Sequence, residues 1–121
     1  MVSKNLSTWF IIHFIADFLF AIAPVWILTL FGWETVDAFT ARLVGAALVG
    51  IGGASLIERN ASTETFRAML NLKLLWASTA IVGMVATLLT GNYPLSGWGF
   101  VLIFVAFFFI WLYYRNQLKE N

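Results

Sequence analysis

The chain has 121 residues, of which 61% are hydrophobic and only 11% are charged. Soluble domains average about 25% charged residues, so these charges are too few to cover a surface that faces water. The net charge of +1 supplies no field for binding nucleic acid. The absence of cysteine and the single histidine exclude disulfide frameworks, zinc–thiolate sites and multi-histidine metal sites. An integral membrane protein, with the lipid bilayer as its first partner, is the class that remains.

Charged residues divide the chain into apolar stretches that are each long enough to cross a membrane. A helix rises 1.5 Å per residue, so about 20 residues span a hydrocarbon core of about 30 Å. Lipid offers the backbone no hydrogen bonds, so each stretch is predicted to be helical. The predicted helices lie at residues 8–31, 38–57, 66–90 and 96–114. Short connections make neighbouring helices antiparallel, which predicts an all-α, single-domain, four-helix antiparallel bundle over residues 1–121.

The distribution of basic residues predicts how this bundle is oriented. Lysine and arginine are enriched in the cytoplasmic loops of membrane proteins. The basic residues outside the predicted helix interiors all fall on the side that holds both termini: Lys4, Arg59, Arg67, Arg115 and Lys119. We therefore expect both termini to be cytoplasmic in a multi-pass protein of a bacterial inner membrane.

Small residues predict where the helices pack, because close approach and polar contacts, rather than the hydrophobic effect, drive helix association in lipid. The second predicted helix carries Ala46, Gly50 and Ala54 at i+4 spacing, flanked by Gly45 and Gly53. The third contributes Ala80 and Gly83, whereas the fourth is rich in bulky aromatic residues. We interpret the second helix as the centre of the bundle, with the third against it and the fourth facing lipid. Alternatively, the stripe mediates self-association, or these glycines are merely tolerated.

A proline inside the first predicted helix interrupts its backbone hydrogen bonding. Pro24 supplies no N–H group, so the sequence predicts a kink at this point.

Ionisable groups within the predicted spans are the candidate functional residues. His13 and Asp17 are four residues apart and share a helix face. Lys73 lies at a comparable depth on the third predicted helix, with Asn71 half a turn away. An isolated charge at the membrane centre costs at least about 2.5–3.5 kcal/mol. Two interpretations stay open: an Asp17–Lys73 ion pair that fixes register beside His13, or a cytoplasm-facing site for a head group or a proton.

Arg42 is a separate candidate, about one turn inside the outer interface. Its side chain is predicted to extend towards the head groups or to pair with Asp37 or Glu34. The alternative is a site for an anion or a lipid phosphate.

A loose pattern links the first two predicted helices to a known group of proteins. Pro24, then Phe31-Gly32, then Arg42-Leu43-Val44-Gly45-Ala46 resembles small bacterial four-helix membrane proteins, the DoxX-like proteins and their uncharacterised relatives. Arg42 and residues 45–50 are the positions that match. Some DoxX-like proteins are similar to subunits of membrane oxidoreductases that use quinones or thiols, although this chain has no cysteine and no haem-ligand pair.

The sequence contains no phosphate-binding loop and no catalytic triad, and Asp17 is the only acid deep in a predicted span. We therefore expect no catalytic residues, no metal site and no cofactor. The predicted function is a binding or accessory module that assembles with itself or with another membrane protein. A proton-linked transporter or channel that uses His13, Asp17 and Lys73 is the alternative, and a membrane enzyme that acts on a lipid or quinone is a weaker one.

Overall fold

A computed structural model describes residues 2–22, 24–33 and 37–118, and within these ranges every regular element is helical. The helices are α1 (Val2–Ile22), α2 (Pro24–Leu30), α3 (Ala38–Ile57), α4 (Thr63–Thr90) and α5 (Ser96–Gln117). Three of the described segments are long and apolar enough to cross a membrane: Phe39–Ile57, Thr63–Thr90 and Ser96–Gln117. By helix length and composition, the chain is a multi-pass membrane protein.

The first predicted helix, at residues 8–31, is two helices in the structure. Helix α1 begins at Val2, and it ends at Ile22 because Pro24 cannot donate the next backbone hydrogen bond. Proline suits the first position of a helix, so α2 begins there. Helix α2 ends at Leu30, and the turn that follows contains Gly32, whose φ of 96° glycine adopts at little cost. There the N–H groups of Gly32 and Trp33 donate to the carbonyls of Thr29 and Leu28, both at 3.1 Å.

Polar caps fix the starts of α3 and α4. Helix α3 has the predicted bounds, 38–57, and Asp37 caps it by accepting a hydrogen bond from the Phe39 N–H at 3.2 Å. Helix α4 begins at Thr63, ahead of the predicted 66, because the Ser62 hydroxyl accepts from the Thr65 N–H at 3.3 Å. Helix α5 continues from the predicted 114 to Gln117.

Two compact units divide the chain, Met1–Ala61 and Ser62–Asn121. In the first unit, α1 and α2 pack on α3, and in the second unit α4 packs on α5. The four-helix bundle therefore stays a prediction, while each helix pair is described by itself.

Within the first unit, the face of α3 that packs on α1 includes Gly45, one of the residues predicted for helix packing. Its buried residues are Ala41, Gly45, Leu48, Gly52 and Ser55, which recur at three- and four-residue intervals. By contrast, Ala46 and Gly50 are exposed, and Gly53 and Ala54 are only half-buried. Helix α1 presents a matching buried row, made of Leu6, Phe10, His13 and Asp17.

In the second unit, the close approach of α4 and α5 does not use Ala80 and Gly83, whose predicted contact with the second helix joins different units and stays a prediction. Gly83 is exposed with nothing within 4 Å of the position that a Cβ would take, and Ala80 is half-buried. The buried small residues are instead Ala77 on α4 and Gly97 on α5. A Cβ at Gly97 would lie 2.6 Å from Leu88 Cδ2, so the lack of a side chain there allows the contact.

The cap of α3 predicts a pH-dependent contribution to stability. Hydrogen bonds to the Asp37 carboxylate, first from the Thr40 hydroxyl and then from the Phe39 N–H, hold the pKa of Asp37 below its usual range. A depressed carboxyl pKa stabilises the fold above the unfolded pKa of about 3.9, and this contribution disappears as pH falls through the folded value. The test is the thermal midpoint in detergent micelles, measured as a function of pH. In the wild type this midpoint should fall at acid pH, and we expect a smaller fall in Asp37→Asn, which still caps the helix but has no carboxylate to protonate.

Thr40→Val removes the main hydrogen-bond donor to Asp37, so the fall of the thermal midpoint at acid pH should begin at higher pH. An equal fall of the thermal midpoint at acid pH in the wild type and in Asp37→Asn would contradict the assignment of this pH dependence to Asp37.

Candidate functional site

A histidine and an aspartate form the candidate site of the first unit. His13 and Asp17 lie one helical turn apart on α1, with 3.3 Å between His13 Nε2 and Asp17 Oδ2. Both residues are buried, at 6% and 8% exposure. The sequence prediction that they share one face is confirmed, because the i,i+4 spacing of a helix places the two side chains side by side.

Helix α3 contacts Asp17 at a glycine that the sequence analysis did not select. A Cβ at Gly52 would lie 3.0 Å from both Asp17 Cβ and Asp17 Oδ2, and 3.4 Å from the Phe14 backbone. The missing side chain therefore provides the space that the Asp17 carboxylate occupies. Three residues further along α3, the fully buried Ser55 donates its hydroxyl to the Ile51 carbonyl at 2.8 Å. This side of the His13–Asp17 pair is tightly packed.

The candidate lysine lies in the second unit, against an aromatic ring. Lys73 is fully buried on α4, and its Nζ lies 4.9 Å from the centroid of the Trp111 ring on α5. Phe107 stacks on the same tryptophan at a centroid distance of 5.5 Å. A desolvated cation over an indole face gains about 2 kcal/mol, so this contact offsets part of the cost of burying the ammonium group.

Asn71, two residues before Lys73, contacts Arg115 on α5. Its side chain is exposed, and its Oδ1 accepts a hydrogen bond from Arg115 Nε at 2.8 Å. Nearby, Arg67 Nη2 donates to the Leu118 carbonyl at 2.7 Å. These two bonds join the first turns of α4 to the end of α5, so Asn71 has a connecting role within the second unit.

The four candidate residues thus fall into separate groups. His13 and Asp17 meet within the first unit, while Lys73 meets Trp111 and Asn71 meets Arg115 within the second. The Asp17–Lys73 pair joins residues of different units and stays a prediction.

Arg42 is exposed on α3. Of its two predicted partners, Asp37 accepts hydrogen bonds from Thr40 and from the Phe39 N–H. Glu34 lies outside the described residues, as does Lys119 of the predicted basic set. The predicted role of Arg42 at the head groups stays a prediction.

Among the described residues, no group of three or more histidine, aspartate or glutamate side chains is placed to hold a metal ion. Comparison of the chain with protein-family models, with curated proteins and with solved structures finds no match. The functional conclusion therefore depends on the residues and contacts of this chain.

The packing at Asp17 predicts opposite effects for two adjacent glycines. We expect Gly52→Ala to lower the free energy of unfolding by about 1–3 kcal/mol, because its Cβ would overlap Asp17 and approach the α1 backbone. Gly53→Ala is the matched control, since a Cβ there has nothing within 4 Å. It should be neutral or stabilise the helix by up to about 1 kcal/mol.

Denaturant titrations of both variants in the same micelles measure the difference. Equal effects at the two positions would contradict a close contact at Gly52.

Proposed function

We propose that this protein is a binding or accessory module of a bacterial inner membrane, which assembles with itself or with another membrane protein. In this proposal, its helices form a four-helix antiparallel bundle with both termini in the cytoplasm. The basic residues near the chain ends, in the 58–62 connection and in the first turns of α4 support this orientation. The resemblance to DoxX-like proteins, carried by Arg42 and residues 45–50, agrees with a small membrane module.

The open small-residue face of α3 is the observation that carries the proposal. A Cβ at Gly50 or Gly53 would have nothing within 4 Å, and Ala46 on the same face is exposed. Helix α1 contacts the other side of α3, at Gly52. In lipid, small residues allow the backbones of two helices to approach closely, and this packing drives association. Within the described part of the first unit, one side of α3 packs on α1, and the other side leaves space at Gly50 and Gly53. We propose that a transmembrane helix of a second protein packs there.

The contacts of the buried polar residues support a structural role for them within this module. Asp17 is held between His13 and the space at Gly52, and Lys73 is held on Trp111. Each of these contacts lies within one helix pair and fixes its register. A side chain that fills a packed contact has less room to bind and release a solute.

The open face predicts that a bulky residue at Gly50 disrupts assembly. We expect Gly50→Leu to weaken self-association in liposomes about tenfold or more, because its side chain separates the two helices. Förster transfer between donor- and acceptor-labelled protein, measured over a range of protein-to-lipid ratios, gives the dissociation constant. Gly99→Leu on α5 is the matched control, because Gly99 is also exposed with nothing within 4 Å.

If Gly50→Leu and Gly99→Leu leave transfer at the level of the wild type, self-association through this face is excluded. The same pair of variants then tests capture of another membrane protein, by crosslinking in the native membrane.

Proton-linked transport is the second candidate, and the buried His13–Asp17 contact favours it. Histidine titrates near neutral pH, and a carboxylate beside it is a natural proton acceptor. In this alternative the pair exchanges protons with the cytoplasm during transport.

Asp17→Asn distinguishes the two candidates. For an accessory module we expect this change to lower the free energy of unfolding by about 1–3 kcal/mol, because a neutral amide replaces the buried carboxylate in its contact with His13. Proton flux into liposomes, followed with an internal pH dye, should equal that of the wild type. Asp37→Asn is the control, because it removes a carboxylate that lies outside the membrane-length segments. A flux that is present in the wild type and lost in a stably folded Asp17→Asn protein would favour the transporter.

A further inference from the structure

A polar cleft lies at one end of the first unit, away from the His13–Asp17 pair. The start of α1 and the segment that follows α3 line it together. Its volume is about 370 Å³, and its lining residues are Lys4, Ser7, Thr8, Asn60 and Ala61. A long hydrogen bond of 3.5 Å from the Ser7 hydroxyl to Asn60 Oδ1 joins the two sides. The cleft is thus part of the α1–α3 packing.

The chemistry of this lining suits an oxyanion. The described lining residues carry one ammonium group, two hydroxyls and one primary amide, and no carboxylate is among them. An ammonium group binds phosphate as a point charge, and hydroxyl and amide groups add hydrogen bonds to phosphate oxygens. A single positive charge matches the single negative charge of a phosphodiester.

The position of the cleft along the helices places it at the level of lipid head groups. The membrane-length segment of α3 ends at Ile57, and Asn60 and Ala61 follow within four residues. Lys4 and Ser7 precede the first predicted span, and Thr8 begins it. In the proposed orientation this end is cytoplasmic, where anionic lipids attract basic residues.

The neighbouring charged residues differ from Lys4 in their contacts. Arg59 donates through Nη1 to the Leu56 carbonyl at 2.6 Å, so its guanidinium group is engaged at the end of α3. Glu58 is the C-cap residue of α3 and is not among the lining residues. Lys4 is therefore the charged side chain that the structure places on the cleft.

We propose that this cleft binds a phosphate group, supplied by the head group of an anionic phospholipid or by a free phosphate compound. A volume of about 370 Å³ lies at the lower end of the range for small-molecule sites and accommodates a glycerophosphate head group. Lys4 supplies the charge, and the Asn60 amide supplies N–H donors. The Ser7 hydroxyl would exchange its long bond to Asn60 for a phosphate oxygen, whereas Thr8 donates its hydroxyl to the Lys4 carbonyl at 3.2 Å and only borders the cleft. The placement at the head groups rests on the proposed membrane orientation, whereas the phosphate chemistry depends only on the first unit.

Native mass spectrometry of the detergent-solubilised protein, titrated with phosphatidylglycerol, tests the proposal. We expect Lys4→Gln to weaken binding of the first lipid about fivefold, which is the usual effect of one basic residue near a lipid surface. Lys4→Arg should retain binding, because it keeps the charge. Arg59→Gln removes one charge from the same end of the unit and should leave the first binding constant unchanged.

A second arm separates the two sources of phosphate. If the ligand is a free phosphate compound, inorganic phosphate should raise the thermal midpoint of the wild type to a plateau in nanodiscs of phosphatidylcholine alone. The Lys4→Gln variant should lack this rise. If the ligand is a lipid, inorganic phosphate should leave the thermal midpoint unchanged, and only added phosphatidylglycerol should raise it. Either result supports a phosphate site and identifies its source.

Equal losses of lipid binding in Lys4→Gln and Arg59→Gln would show general attraction to surface charge and overturn the proposal. So would the absence of any Lys4 dependence in both arms. Lys4 is exposed on the first turns of α1, so circular dichroism should show unchanged helix content in these variants. Self-association is measured separately by energy transfer, so a failure of this proposal is distinguishable from a failure of the accessory function.

Discussion

An ionisable side chain inside an apolar helix pair is stable only where neighbouring groups satisfy its charge or hydrogen bonds, and this constraint governs the first unit. Asp17 has His13 one turn away on its own helix, and it needs space on the facing helix. The missing side chain of Gly52 supplies that space, at 3.0 Å from the carboxylate oxygen. The register of α1 against α3 follows from this contact, because sliding either helix would press a larger residue against the acid.

The second unit satisfies the same constraint with an aromatic ring. Lys73 is fully buried and lies over Trp111, whose π-electrons attract the ammonium group. Hydrogen bonds from Arg115 to Asn71 and from Arg67 to the Leu118 carbonyl join the start of α4 to the end of α5. Each helix pair therefore combines one buried ionisable centre with a close approach at a small residue, Gly52 in one pair and Gly97 in the other.

The apolar stretches and the proline in the sequence were sufficient to predict most of the helix bounds, because these signals are local. The bounds of α3 and the interruption at Pro24 are examples. The packed faces were not predictable in the same way, since α3 carries small residues on more than one side. The choice between Gly50 and Gly52 depends on which side meets Asp17, and that is a contact between distant residues. Trp111 belongs to the aromatic fourth helix, which the sequence analysis interprets as facing lipid, and no local signal links this buried residue to Lys73.

The two adjacent glycines of α3, one in contact with Asp17 and one facing open space, separate two kinds of substitution. A side chain added at position 52 alters the interior, because it meets Asp17 and the α1 backbone. A side chain added at position 50 or 53 meets no neighbour within 4 Å, so it changes the outer surface of α3 and leaves that interior contact intact. The surface chemistry of this helix can therefore vary independently of the register between α1 and α3.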